Sequence, residues 1–172
     1  MKKIVLIIAH EGFQHLEYRV PKRIIEDAGM QVLTASDAPG NARGKDGSNQ
    51  LVDLLLTEVN PTDYDGVFVI GGPGALKHLD NQETNRIVNE AMILGKPYGS
   101  ICISSRILAK AHVLTEKKAT GWDGDNELAG IFSQNNVAYV REPVVIDGNA
   151  VTAVGPEAAE EFGHAIVNVL GV

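Results

Sequence analysis

A chain of 172 residues, 44% of them hydrophobic, falls within the usual size of one domain and can bury a substantial core. Its net charge of -7 comes from acids spread along the chain, which argues against nucleic acid or an anionic membrane as partner and favours small molecules or proteins. One cysteine forbids an internal disulfide, and the short apolar run behind Met1-Lys2-Lys3 reads as a buried strand, not a signal peptide. No apolar stretch approaches the roughly 20 residues that cross a bilayer, so the cytoplasm is the expected compartment.

Lys3 to Ala9 is an unbroken aliphatic and β-branched run, which predicts a strand covered on both faces. Leu16, Val20, Ile24 and Ala28 then recur four apart and stop at Gly29, predicting a helix with Pro21 near its first turn or at a kink. Glu17 is thereby placed at or near the first turn. Gln31 to Ala35 reads as a second strand, Gly40 to Gly47 as an exposed loop, and Gln50 to Leu56 as an edge strand or hairpin arm. Gly66 to Ile70 and Pro97 to Ile101 are further buried strands, with a helical stripe at Ile87, Val88, Ala91 and Leu94 between them. Another stripe follows at Ile107, Leu108 and Ala111. Val144 to Ile146 and Ala150 to Ala153 flank the hairpin turn Asp147-Gly148, and a last helix carries Ala158, Phe162, Ala165, Ile166 and Val169. Strand and helix alternate, so the expected fold is α/β with a mainly parallel sheet. No repeat or linker divides the chain, and residues 1–172 are read as one domain.

Three segments carry chemistry. In Gly99-Ser100-Ile101-Cys102-Ile103-Ser104-Ser105, small residues two before and two after the cysteine fit a nucleophile elbow, a sharp strand-to-helix turn that lifts one side chain above the sheet. The helix N-terminus there is expected to lower the thiol pKa, and its N–H groups can serve an oxyanion. A free cysteine is otherwise commonly a small buried hydrophobe. Gly71-Gly72-Pro73-Gly74-Ala75 follows a strand directly, so it lies at the carboxyl edge of a parallel sheet, as a ligand loop or as an ordinary turn. It lacks the spacing of a phosphate-binding fingerprint. Glu17 reaches the same edge, either as a proton carrier whose pKa rises with burial or as a partner of the helix dipole.

Together these features resemble the superfamily of PfpI-type intracellular peptidases and the Parkinsonism-associated deglycase, with a class I glutamine-amidotransferase-like fold. The resemblance runs through Ala9-His10-Glu11-Gly12-Phe13 to Leu16-Glu17, Glu58-Val59-Asn60-Pro61 to Asp63-Tyr64-Asp65, Gly71-Gly72-Pro73-Gly74, the Cys102 elbow, Val145-Ile146-Asp147-Gly148-Asn149, and Gly155-Pro156 with Glu161-Phe162. It implies a flavodoxin-like three-layer sandwich assembled as a homodimer or higher oligomer and working without a cofactor. It also implies Cys102 as nucleophile, Glu17 as its hydrogen-bonding partner, and the backbone amides of Gly72 and Ile103 as an oxyanion hole. Members act as glyoxalases, protein deglycases, peptidases, chaperones or oxidation sensors.

The chain departs from the pattern beside the cysteine. Peptidase-like members place a histidine where Ile103 stands and an acid after the glycine pair, where this chain has Ala75, Leu76 and Lys77. Trp122 occupies the position of the histidine of glyoxalase-like members; it can wall an apolar pocket but cannot transfer protons. Asp123 is the nearest titratable substitute, His10 is the histidine best placed to reach the site, and Gly155 and Pro156 complete the expected pocket. His15 reads as solvated. Metal binding has little support, because His10, Glu11 and His15 lack the His-Glu-x-x-His spacing. An amidotransferase triad would need His-x-Glu where Gly155-Pro156-Glu157 stands. The leading expectation is a thiol enzyme for a small reactive carbonyl, free or attached to a protein. The alternatives are a cysteine peptidase or amide hydrolase, and an oxidation-sensing, chaperone-like stress protein.

Overall fold

The computed structural model describes residues 1–172. In chain order the elements are β1 (Lys3–Ile8), β2 (Glu11–Phe13), α1 (His15–Asp27), β3 (Gln31–Ser36), β4 (Asn41–Gly44), β5 (Asn49–Leu51), β6 (Leu54–Leu55), β7 (Gly66–Val69), α2 (Ala75–Leu79), α3 (Gln82–Ile93), β8 (Tyr98–Ile101), α4 (Ser105–Lys110), β9 (Lys118–Ala119), α5 (Leu128–Gln134), β10 (Ala138–Tyr139), β11 (Val144–Asp147), β12 (Ala150–Ala153) and α6 (Ala159–Val169). None of the helices is long and apolar enough to cross a membrane.

A seven-stranded sheet in the order β11-β12-β8-β7-β1-β3-β6 forms the middle layer. All its neighbours run parallel except the β11–β12 hairpin, where Asp147 faces Ala150 across the turn. Strands β3-β1-β7-β8-β12 follow the order 2-1-3-4-5 of the flavodoxin-like sandwich. Side chains alternate across each strand, so Ile4, Leu6 and Ile8 of β1 join one apolar cluster and Val5 and Ile7 the other. Tyr18 and Ile25 of α1 and Phe162 and Ile166 of α6 cover the first face. Ile87 and Val88 of α3, Leu108 of α4 and Phe132 of α5 cover the second. Covered on both sides, the strands need continuous apolar sequence.

Two expectations change in detail. The stripe Leu16, Val20, Ile24 and Ala28 is not the buried face of α1: Leu16 is exposed, and Glu17, Tyr18, Pro21 and Ile25 point inward. Gln14 sets this phase, because its Oε1 accepts from the amides of Leu16 and Glu17 at 2.7 and 3.3 Å and starts the helix one residue earlier than the aliphatic spacing suggests. Nor is 40–47 simply an exposed loop. Asn41 to Gly44 form β4, which pairs with β2 and β5 in a small three-stranded sheet, with Ala42 and Gly44 inward and Asn41 and Arg43 outward. Alanine and glycine in the inward positions conceal the strand period. The arm at 50–56 divides into the end of β5, the edge strand β6 and a short 3-10 turn that begins at Leu56.

The edge-to-face pair of Phe68 and Phe162, with centroids 6.1 Å apart, joins α6 to the sheet. Phe162→Ala is expected to cost about 3–5 kcal/mol, read as a lower urea midpoint at unchanged slope.

Candidate active site

Strands β1, β7 and β8 end side by side at the carboxyl edge of the sheet, and their following turns bring Glu17, Gly71-Gly72 and Cys102 together. After β8 the backbone turns sharply at Cys102, whose φ of 63° lies in the left-handed region that a residue with a side chain seldom adopts. The surrounding serines hold the turn: Ser104 Oγ donates to the Ile70 carbonyl at 2.8 Å, and Ser100 Oγ meets Ser105 Oγ at 2.9 Å. Trp122 N donates to the Cys102 carbonyl at 3.1 Å. The expected elbow is therefore present, and its small flanking residues act as hydrogen-bonding partners as well as space savers.

Two glycines let the neighbouring loop approach. A Cβ on Gly71 would lie 2.7 Å from both Cys102 Cβ and Glu17 Oε2. Gly72 has φ +124°, and a Cβ there would stand 2.5 Å from Gln14 N and the Gly12 carbonyl. No side chain fits at either position. The backbone amides of Gly72 and Ile103 both approach the Cys102 sulfur, where they stabilise negative charge.

Glu17 has no exposed surface. Its Oε2 accepts from the Gly71 amide at 2.9 Å, Oε1 is buried without a hydrogen-bond partner, and the carboxyl is in contact with the Cys102 thiol. Burial pushes the Glu17 carboxyl up to about 7; contact with the thiol and the Gly71 amide act the other way. Burial also pushes the Cys102 thiol above its ordinary value, followed by repulsion from the Glu17 carboxylate, and the Ile103 and Gly72 amides only partly offset this. The expected lowering by the helix end is overridden: the helical turn after Cys102 is short, and desolvation beside a carboxylate is the larger effect.

Cys102 and Glu17 face a cavity of about 330 Å³, lined also by Gln14, Lys45, Gly72, Pro73, Ile103, Trp122 and Pro156. Trp122 shares the apolar part of the wall with Pro73, Ile103 and Pro156. Its ring lies 5.4 Å from the guanidinium of Arg106, which is itself buried and held by Asp125 at 2.6 and 3.0 Å. Pro156 is in the wall, whereas Gly155 is not among its lining residues. His10 and Asp123 are not in it either. His10 Nε2 meets the Pro39 carbonyl at 2.9 Å, and Asp123 Oδ1 accepts from Leu128 N at 3.0 Å at the start of α5. His10 is thus tied to the loop after β3, and Asp123 to the start of α5. No histidine lines the cavity, and no group of three His, Cys, Asp or Glu side chains is gathered to hold a metal ion. Sequence reasoning missed Gln14 and Lys45, because Gln14 belongs to no motif and Lys45 lies in the segment taken for an exposed loop.

Glu17 sets a pH dependence of known sign. Its folded value lies above the ordinary 4.5, so the stability gained by keeping it neutral is complete below pH 4.5 and is lost as pH rises through about 7. Glu17→Gln keeps a neutral group there. Urea unfolding should find the variant more stable than wild type by about 3 kcal/mol above neutral pH, with the gap closing toward about pH 4.

Comparisons with known proteins place this fold. A deglycase of Pyrococcus horikoshii is 31% identical over 168 residues, covering 98% of this chain and 99% of that protein. An uncharacterized protein of Methanocaldococcus jannaschii is 30% identical over 169 residues, 98% of this chain and 82% of that protein. The crystal structure of a ThiJ/PfpI domain protein from Brachyspira murdochii superposes with a TM-score of 0.92 at 31% identity, covering 98% of this chain and 95% of that one. The sequence profile of the DJ-1/PfpI family matches residues 2–169, and the chain belongs to that family.

Proposed function

We propose that the protein is a cofactor-independent thiol enzyme acting on small reactive carbonyls, free or attached to protein side chains. One arrangement carries this reading: a cysteine on a left-handed elbow, beside a fully buried carboxyl near neutrality, under two backbone amides and facing a small cavity. The deglycase name of the Pyrococcus horikoshii relative supports it.

With a 2-oxoaldehyde, the Cys102 sulfur forms a bond to the aldehyde carbon, and the carbonyl electron pair moves onto oxygen beside the Gly72 and Ile103 amides. Glu17 gives its proton to that oxygen, leaving a hemithioacetal. The Glu17 carboxylate then takes the proton from the former aldehyde carbon, and the resulting enediol collects one at the neighbouring carbon. What remains is a thioester of a 2-hydroxy acid, which water hydrolyses to release the acid and restore the thiol. The aldehyde carbon is oxidised and its neighbour reduced, so the sequence balances with one water and no outside oxidant. Peptide hydrolysis would need a general acid for the departing amine, and with no histidine in the cavity Glu17 alone would have to serve both steps.

Wild-type protein should convert methylglyoxal to lactate, followed by NMR. Cys102→Ser should abolish the conversion, and Glu17→Gln should lower kcat/KM by about 10²-fold or more. Clearance by Cys102→Ser at the wild-type rate would overturn the proposal.

A further inference from the structure

Lys45 is the one cationic side chain in the cavity wall, in a chain whose net charge is -7. It sits at the tip of the β4–β5 hairpin, where its amide donates to the Phe13 carbonyl at 2.8 Å, fixing it beside Gln14. The acid next to it does not neutralise it. Asp46 accepts from Ser48 N and Oγ at 3.1 and 2.5 Å, and faces His15 and Arg19 at 3.7 Å each. The Ser48 hydroxyl leads in holding the Asp46 carboxyl below its ordinary value, so Asp46 stays ionised in its own network. Lys45 makes no ion pair.

Gln14 supplies a second donor. Its Oε1 is used by the two cap bonds to Leu16 and Glu17, while its Nε2 makes no hydrogen bond within the protein although the residue is only 7% exposed. An ammonium in no salt bridge, its charge felt by Glu17 across the cavity, and an amide nitrogen without an acceptor therefore share one wall with the thiol. Glu17, the only carboxylate among the lining residues, is already engaged with the Gly71 amide. The remaining wall, Pro73, Ile103, Trp122 and Pro156, is apolar and suits the carbon chain of a ligand. A cavity of about 330 Å³ is at the small end of ligand sites.

We infer that the cavity selects carbonyl compounds that carry a carboxylate, with Lys45 and Gln14 receiving the carboxylate while Cys102 meets the carbonyl carbon. This deepens the carbonyl-enzyme reading and rests on it. A 2-oxoaldehyde with a terminal carboxylate, such as 4,5-dioxopentanoate, would become the corresponding 2-hydroxy diacid by the same water-balanced sequence.

Two alkylating reagents of nearly equal shape test the anion site without turnover. Iodoacetate and iodoacetamide should modify Cys102 with a rate ratio about tenfold higher than the ratio they show with free cysteine. Lys45→Met should reduce that excess to none, Lys45→Glu should reverse it, and Lys45→Arg should keep most of it. Losing the Lys45 charge also shifts Glu17 but changes the thiol alike for both reagents, so the ratio isolates recognition of the anion. In the second arm, kcat/KM for 4,5-dioxopentanoate should exceed that for neutral 2-oxopentanal in wild type, with the preference lost in Lys45→Met. No excess for iodoacetate, or an excess that survives Lys45→Met, overturns the inference. A Cys102 that neither reagent modifies in the native protein overturns both the inference and the enzyme reading. An iodoacetate excess that depends on Lys45, with neither carbonyl converted, upholds the carboxylate site and defeats the carbonyl chemistry.

Discussion

A carboxyl group with no exposed surface stands beside the only thiol of the chain, and the two cannot both carry charge at low cost. Burial raises both groups, so the pair holds a proton that an exposed pair would release. That shared proton gives the site its chemistry. Under the proposed function, when it rests on Glu17 the sulfur is the nucleophile and the acid that completes the addition is already in place. When it rests on the sulfur, the carboxylate is a base. The Gly72 and Ile103 amides pull toward the first arrangement at the sulfur, while the Gly71 amide pulls toward the second at the carboxyl.

Holding those groups together requires a close approach of three chain segments at one sheet edge. The left-handed backbone at Cys102 stores strain of about 1–3 kcal/mol, which the packed strands and helices on either side must override. Gly71 lies against the Cys102 and Glu17 side chains with no room for a methyl group, and its amide fixes one oxygen of Glu17. Gln14 supports the arrangement from the other side, since the helix it caps is the one that turns Glu17 inward. Site and core are thus parts of one packing problem: the apolar strands end where the strained loops begin.

Much of this was legible in the sequence because the relevant signals are local. Continuous apolar runs marked β1, β3, β7 and β8, and the spacing of serines around Cys102 marked the elbow. The family pattern connected Glu17, Gly72 and Cys102 across gaps that no local rule spans. What escaped detection depended on contacts between distant segments. Strand β4 shows alanine and glycine where β-branched residues would reveal a strand, and only its pairing with β2 and β5 makes it one. Helix α5 has just Leu128 and Phe132 buried and a glycine between them, too little periodicity to stand out. His10 and Asp123 were read from proximity in sequence to the strand ends, but hydrogen bonds to Pro39 and Leu128 turn them to other tasks. The direction of the thiol's shift also depended first on how deeply Cys102 itself is buried and then on the Glu17 carboxylate beside it, which spacing alone cannot reveal.

Since no histidine lines the cavity, proton handling at the cysteine falls to Glu17 under the proposed function. The most direct test is the rate of Cys102 alkylation by iodoacetamide as a function of pH, in wild type and in Glu17→Gln. A coupled pair predicts a wild-type inflection near the Glu17 value of about 7 that disappears in the variant, leaving a single thiol titration at higher pH. Identical profiles for the two proteins would contradict the account, because the thiol would then titrate without reference to Glu17.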